Sequence, residues 1–271
     1  MLNRCMFVST IVLGGLALPA LGQLVLTGTA GAGWQAFPGA LNNYGNATRP
    51  YWDQNTLDGN PENRNVGNYL NNTWTGGLPA GAAASPNIAP VWWGRTSITD
   101  FYATQDLDVR FSTGGTVGAS LRLELSGNSG TNEIGWYNPS DVAGSETLNP
   151  IFVGGDSPIT GVNFTPSNTF ALYLRTVDNR IFFSDASRNR EGATPMSADD
   201  RATQHFAFFG ASLVAGNEVY YIGSEDLRRQ NADREIIGDY NDLIFTIRAV
   251  PTPGAAALMG LGILAAGRRR R

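Results

Sequence analysis

Five oxygen-bearing side chains in the C-terminal part of the chain have the types and spacing of a cation site. Asp239, Asn241 and Asp242 follow Gly238, which permits a tight turn, and Glu225 and Asp226 precede them on another segment. Calcium takes about six to eight such hard oxygen ligands in proteins. Asp and Asn also favour turns, because their side chains bond to nearby backbone. The residues alone therefore leave calcium binding and turn formation both open.

The chain contains one histidine, His205, and this restricts the enzymes that it can be. A zinc site with several histidine ligands is excluded, and there is no Gly-x-Ser-x-Gly nucleophile elbow. We expect His205 to be a structural hydrogen-bonding residue near Glu225 and Asp226, and we expect the protein not to be an enzyme. Paired carboxylates for glycoside hydrolysis stay open, since their spacing cannot be read from sequence.

Aromatic residues offer a different chemistry, the stacking of sugar rings. Tryptophan side chains that face solvent would form such platforms, whereas tryptophans in loop-rich segments more often fill the core. The sequence leaves both interpretations open for Trp52, Trp74, Trp92, Trp93, Trp136 and Tyr137.

Short alternating segments predict the elements that position these residues. Ala119–Leu125 alternates with period two and stops at a Ser-Gly-Asn turn, which is typical of a half-buried strand. A hairpin is predicted around 177–179. The other predicted strands are Thr169–Arg175, Arg180–Ser184, Gln204–Phe209, Glu218–Ile222 and Leu243–Ala249. Together with abundant Gly and Pro, this pattern predicts an all-β fold, an antiparallel, jelly-roll-like β-sandwich with long loops.

The N-terminal segment 1–22 has the layout of a secretory signal peptide. Arg4 gives a basic start, Met6–Leu18 an apolar helix, and Pro19–Gly22 a small-residue exit. The single cysteine, Cys5, lies inside this segment, so we expect no disulfide in the exported chain. We expect residues 23–95 to be a loop-rich N-terminal part, with a linker or exposed loop at Gly76–Pro90, and 96–250 to form the β-sandwich.

The charge of the exported part is strongly acidic. All 23 acidic residues lie between residues 23 and 250, whereas five of the 19 basic residues lie outside it, and no lysine occurs anywhere. Such a surface argues against nucleic acid or anionic lipid as a partner and is compatible with divalent cations.

The last 21 residues, 251–271, form a three-part segment that we call the tail. It reads Pro251-Thr252-Pro253, then an apolar stretch over 254–267, then Arg268-Arg269-Arg270-Arg271. The apolar stretch is short for a membrane helix, which usually needs about 20 residues, and the arginines are expected to stay on the cytoplasmic side. The tail resembles the PEP-CTERM signal of exported bacterial proteins, with Thr252 where that signal usually has Glu. The resemblance implies a short transmembrane helix and processing by an exosortase-type enzyme.

A second resemblance covers roughly 134–250. The order Phe182-Phe183-Ser184-Asp185-Ala186-Ser187-Arg188-Asn189, His205, Glu225-Asp226-Leu227 and Asp239-Tyr240-Asn241-Asp242 resembles an uncharacterised exported bacterial domain with an acidic hairpin. The resemblance implies a β-sandwich and calcium at the hairpin, although Ile237 stands where that domain has an Asp.

These features together predict an exported, surface-sorted bacterial protein. We expect a structural or adhesive role in extracellular matrix or exopolysaccharide, with calcium as a stabilising ion and secretion machinery and an exosortase as partners. The chain would be held at the inner membrane by its tail before processing. The alternatives are a carbohydrate-binding module and, third, a secreted hydrolase.

Overall fold

The computed structural model describes residues 23–29, 33–36, 52, 64–94, 108–126, 130–156, 158, 161–191, 204–211, 219–226 and 240–251. The predicted signal peptide and the tail beyond Pro251 lie outside these residues. Among the described residues, no helix is both long enough and apolar enough to cross a membrane.

The described chain is almost entirely strand and loop, as predicted. Its elements are β1 Val25–Gly28, β2 Gly33–Ala36, α1 Val66–Leu70, β3 Val91–Gly94, β4 Val109–Ser112, β5 Val117–Glu124, β6 Glu133–Tyr137, β7 Asn149–Val153, β8 Gly161–Phe164, β9 Thr169–Arg175, β10 Ile181–Phe183, α2 Ala186–Glu191, β11 Phe206–Gly210, β12 Val219–Ser224 and β13 Leu243–Ala249. The ends of the predicted strands differ from these by at most two residues, within the fraying expected at element ends, and Thr169–Arg175 and Leu243–Ala249 coincide with β9 and β13.

The strands form two antiparallel sheets. The six-stranded sheet has the order β1-β4-β9-β6-β7, and β10 pairs with residues 173–175 of β9. The seven-stranded sheet has the order β2-β3-β11-β12-β13-β5-β8. The predicted hairpin joins β9 to β10, with Asn179 in its turn at a φ of 60°, which Asn tolerates better than most residues.

The two sheets pack face to face through their apolar sides. On β5, Leu121 and Leu123 are buried, while the alternating Arg122 and Glu124 are only half-buried. Ring contacts cross between the sheets, from Phe111 to Phe208 at 5.9 Å and from Phe152 to Phe245 at 5.9 Å. The sandwich predicted from the sequence is therefore present, with one core between its two sheets.

Residues 23–94 supply strands to both sheets as well as loops. β1 pairs with β4 in one sheet, and β2 and β3 lie at an edge of the other. The segment 76–90 has no helix or strand, as predicted for a loop. It nevertheless lies against the sandwich, because Ala83 is buried and its N–H donates to the Arg122 carbonyl at 2.8 Å.

Candidate cation site

Three carboxylates meet at one end of the seven-stranded sheet. β12 and β13 are antiparallel neighbours whose pairing ends at Ser224 and Leu243. The residues just beyond that pair, Glu225 and Asp226 on one side and Asp242 on the other, must therefore lie side by side. Each offers a carboxylate oxygen, and these oxygens all lie within 4.8 Å of one another. We call Glu225, Asp226 and Asp242 the acidic cluster; its arrangement could hold a metal ion.

Backbone hydrogen bonds fix the acidic cluster in place. The Asp226 N–H donates to Asp242 Oδ2 at 2.7 Å. The Glu225 N–H donates to the His205 carbonyl at 3.1 Å, which extends the β11–β12 pairing by one residue. Glu225 and Asp226 are both buried, whereas Asp242 is half-buried. Buried carboxylates are costly unless hydrogen bonds or a cation compensate them.

His205 lies directly beside the acidic cluster. Its Nδ1 is 2.8 Å from the Glu225 carbonyl oxygen, a distance at which a protonated Nδ1 donates a hydrogen bond. Its ring stacks on Phe182 with centroids 3.5 Å apart and planes 16° apart. These two contacts hold the turn that carries Glu225, as expected for a structural histidine.

The other two predicted ligands are Asn241 and Asp239. Asn241 is buried, but its Nδ2 donates to the Arg64 carbonyl at 2.6 Å, which ties this turn to the segment before α1. Tyr240 adopts a φ of 55°, and its hydroxyl donates to the Gln204 carbonyl. Asp239, like Ile237, lies outside the described residues. The structure therefore brings together three of the five predicted ligands.

A third segment, which the sequence did not point to, also contacts the acidic cluster. Asp226 Oδ2 accepts hydrogen bonds from Ser126 Oγ and from Asn132 Nδ2. The Leu125 N–H donates to the Asp242 carbonyl at 2.9 Å. This contact follows from the pairing of β5 with β13, in which Glu124 is the register partner of Leu243. The Ser-Gly-Asn turn after β5 marked this segment in the sequence. The sequence of the turn does not show, however, that the turn would contact Asp226.

Several negatively charged carboxylates lie close together in this region. Burial raises the pKa of the Glu124 carboxyl, and the negative charges of Asp156 and Asp226 raise it further. Like charges in a partly desolvated site disfavour ionisation, and a bound cation reverses that effect.

The Ser184–Asn189 motif braces the six-stranded sheet. Ser184 Oγ donates to the Val109 carbonyl at 2.8 Å and accepts from the Leu172 N–H at 3.0 Å. Asn189 closes the turn by bonding both the N–H and the carbonyl of Phe183. Asp185, fully buried, accepts from Arg110 Nε at 2.8 Å and from the Tyr137 hydroxyl at 2.9 Å. These hydrogen bonds give the motif a structural role, because they hold the end of β10 and the turn after it against β4, β6 and β9.

All six tryptophans lie among the described residues, and each one packs in or against the core. Trp52 and Trp92 are buried. The half-buried ones that pack against the same core are Trp34, Trp74, Trp93 and Trp136. Tyr137 is fully buried. Burial of these side chains adds to the packing of the core, and the carbohydrate-binding alternative stays a prediction for the half-buried tryptophans.

Of the residues predicted to direct sorting, the structure describes only Pro251, which is exposed. Thr252, Pro253, Arg268, Arg269, Arg270 and Arg271 lie outside the described residues.

Comparison of the chain with protein-family models, with curated proteins and with solved structures finds no match in any of the three.

Proposed function

We propose that this chain is an exported, surface-sorted bacterial protein whose jelly-roll-like sandwich has a structural or adhesive, non-catalytic role in extracellular matrix or exopolysaccharide. Calcium stabilises the sandwich by binding at the acidic cluster. The observation that carries the proposal is the convergence of three carboxylates, two of them buried, at one end of adjacent strands.

Calcium suits this cluster better than softer metals. The described ligands are carboxylates, and hard oxygen ligands are those that calcium prefers, whereas zinc and copper sites usually include histidine or cysteine. The one cysteine lies in the predicted signal peptide, and the one histidine uses Nδ1 toward a backbone carbonyl. A cation here joins the end of β12 to the start of β13 and offsets the repulsion between their carboxylates.

The calcium role is tested by thermal unfolding of the full-length chain in mild detergent, first with excess EDTA and then with excess calcium. A ligand that binds only the folded state adds about 2.7 kcal/mol at a hundredfold excess over its dissociation constant. We expect a higher Tm with calcium for the wild type and a much smaller gain for Asp242→Asn. Asp178→Asn, an exposed acid in the β9–β10 turn, is the matched control and should keep the full gain. An equal gain in both variants would rule out the acidic cluster as the site.

The sorting role is tested by replacing the arginines of the tail. Four arginines after an apolar segment hold the C-terminus on the cytoplasmic side of the membrane. Their removal weakens this retention. We expect replacement of Arg268–Arg271 by alanine to shift the chain from the cell-surface fraction to the membrane or the culture medium, measured by fractionation and immunoblotting. A matched replacement of Arg248, on β13, by alanine should leave the location unchanged. Unchanged location in the tail variant would contradict the proposal.

A further inference from the structure

Asn132 is a buried polar neighbour of the acidic cluster. It lies immediately before β6 and is 1% exposed. Its Nδ2 donates to Asp226 Oδ2 and, at 3.1 Å, contacts Ser126 Oγ. The orientation of its amide is therefore set by the Asp226 carboxylate, toward which it points its nitrogen.

The other end of the same amide has no hydrogen-bond partner among the described residues. Asn132 Oδ1 is buried and accepts no hydrogen bond from any of them. The large majority of buried side-chain polar atoms in proteins have at least one partner, so such an atom needs an explanation. Because Oδ1 and Nδ2 belong to one planar group, Oδ1 also lies beside Asp226. An amide oxygen in that position is a ligand of the type that calcium uses.

We propose that Asn132 adds its amide oxygen as a ligand to the calcium site of the acidic cluster. This inference rests on the proposed function, since it extends the same site. The acidic cluster lies at the end of β12 and β13 in the seven-stranded sheet, whereas Asn132 leads into β6 of the six-stranded sheet. The ion therefore links the two sheets of the sandwich as well as two strands of one sheet.

The test is isothermal titration of calcium into the full-length chain, in mild detergent and after removal of metal with EDTA. Loss of a supporting residue at a metal site costs about tenfold or more in affinity, and we expect at least that for Asn132→Ala. We expect Asn132→Asp to bind calcium at least as tightly as the wild type, because it keeps the oxygen and adds a charge. In EDTA the same variant should melt at a lower temperature, because its new charge faces Asp226.

These variants separate a ligand from a residue that only donates a hydrogen bond. If Asn132 acts only through its Nδ2, Asn132→Asp weakens calcium binding, and that result overturns the proposal. An affinity of Asn132→Ala within about twofold of the wild type also overturns it, because loss of a ligand costs far more. Asp178→Asn again serves as the control. If the wild type binds no calcium, the proposed function fails with this inference; if Asp242→Asn alone weakens binding, only this inference fails.

Discussion

At the scale of single residues, buried polar groups carry much of the specificity of this fold. Asp185 is fully buried, and the groups that face it are Arg110, Tyr137, Arg188 and Asp108. Burial raises the pKa of its carboxyl above the ordinary value of 3.8, although the hydrogen bond from Arg110 opposes the shift. The ion pair lowers the cost of burying this charge but does not abolish it.

A pH dependence follows from this shift. A carboxyl whose pKa is raised in the folded state holds its proton more tightly there, so its contribution to stability is complete below the unfolded pKa and is lost as the pH rises through the folded pKa. We therefore expect the wild type to lose stability relative to the non-titrating Asp185→Asn as the pH rises above the ordinary value of 3.8. Urea unfolding of both proteins over a series of pH values measures the difference. A relative gain by the wild type as the pH rises would contradict the raised pKa.

At the scale of elements, the strands were predictable but their partners were not. The alternation of Ala119–Leu125 and the Asn179 turn are local signals, and the structure confirms the strand and the hairpin. The pairing of β5 with β13 joins residues about 120 positions apart, and no local pattern specifies it. For this reason the sequence indicated Glu225, Asp226 and Asp242 but not their neighbours Ser126 and Asn132.

Gly223 shows how closely the elements around the cation site approach one another. A Cβ on Gly223 would lie 2.3 Å from the Tyr240 carbonyl oxygen and 3.1 Å from Val66. Gly223→Ala must therefore push the β12 backbone away from the turn that carries Asp242. We expect it to lower the free energy of unfolding by about 3 kcal/mol, the upper part of the usual range for overpacking. Urea unfolding midpoints with unchanged slope measure the loss.

Gly114 provides the matched control for this substitution. A Cβ on Gly114 would meet no atom within 4 Å. Gly114→Ala should therefore change the free energy of unfolding by less than about 0.5 kcal/mol, as surface substitutions usually do. Equal losses in the two variants would show that the close approach at Gly223 is not what limits stability.

At the scale of the whole molecule, the first strands complete both sheets. β1 pairs with β4, and β3 pairs with β11. The Tyr220 hydroxyl donates to the Leu24 carbonyl at 3.0 Å and accepts from the Leu26 N–H at 3.2 Å, across almost the full length of the described chain. Composition indicated a loop-rich N-terminal part, because its strands are only four residues long and lack alternation. Contacts of such long sequence separation are beyond what composition can indicate.

This arrangement predicts that residues 96–250 do not fold without residues 23–95. The described residues of the missing part contribute seven large buried side chains to the core, namely Leu24, Leu26, Trp52, Val66, Tyr69, Leu70 and Trp92. At about 1.5–3 kcal/mol for each such side chain, their loss is as large as the whole stability of a typical domain, about 5–15 kcal/mol. We expect the 23–250 fragment to unfold cooperatively on heating, with near-ultraviolet circular dichroism that is lost in one transition. The 96–250 fragment should lack that signal and bind a hydrophobic dye at low temperature. A cooperative transition in the 96–250 fragment would show that the core forms without the early strands.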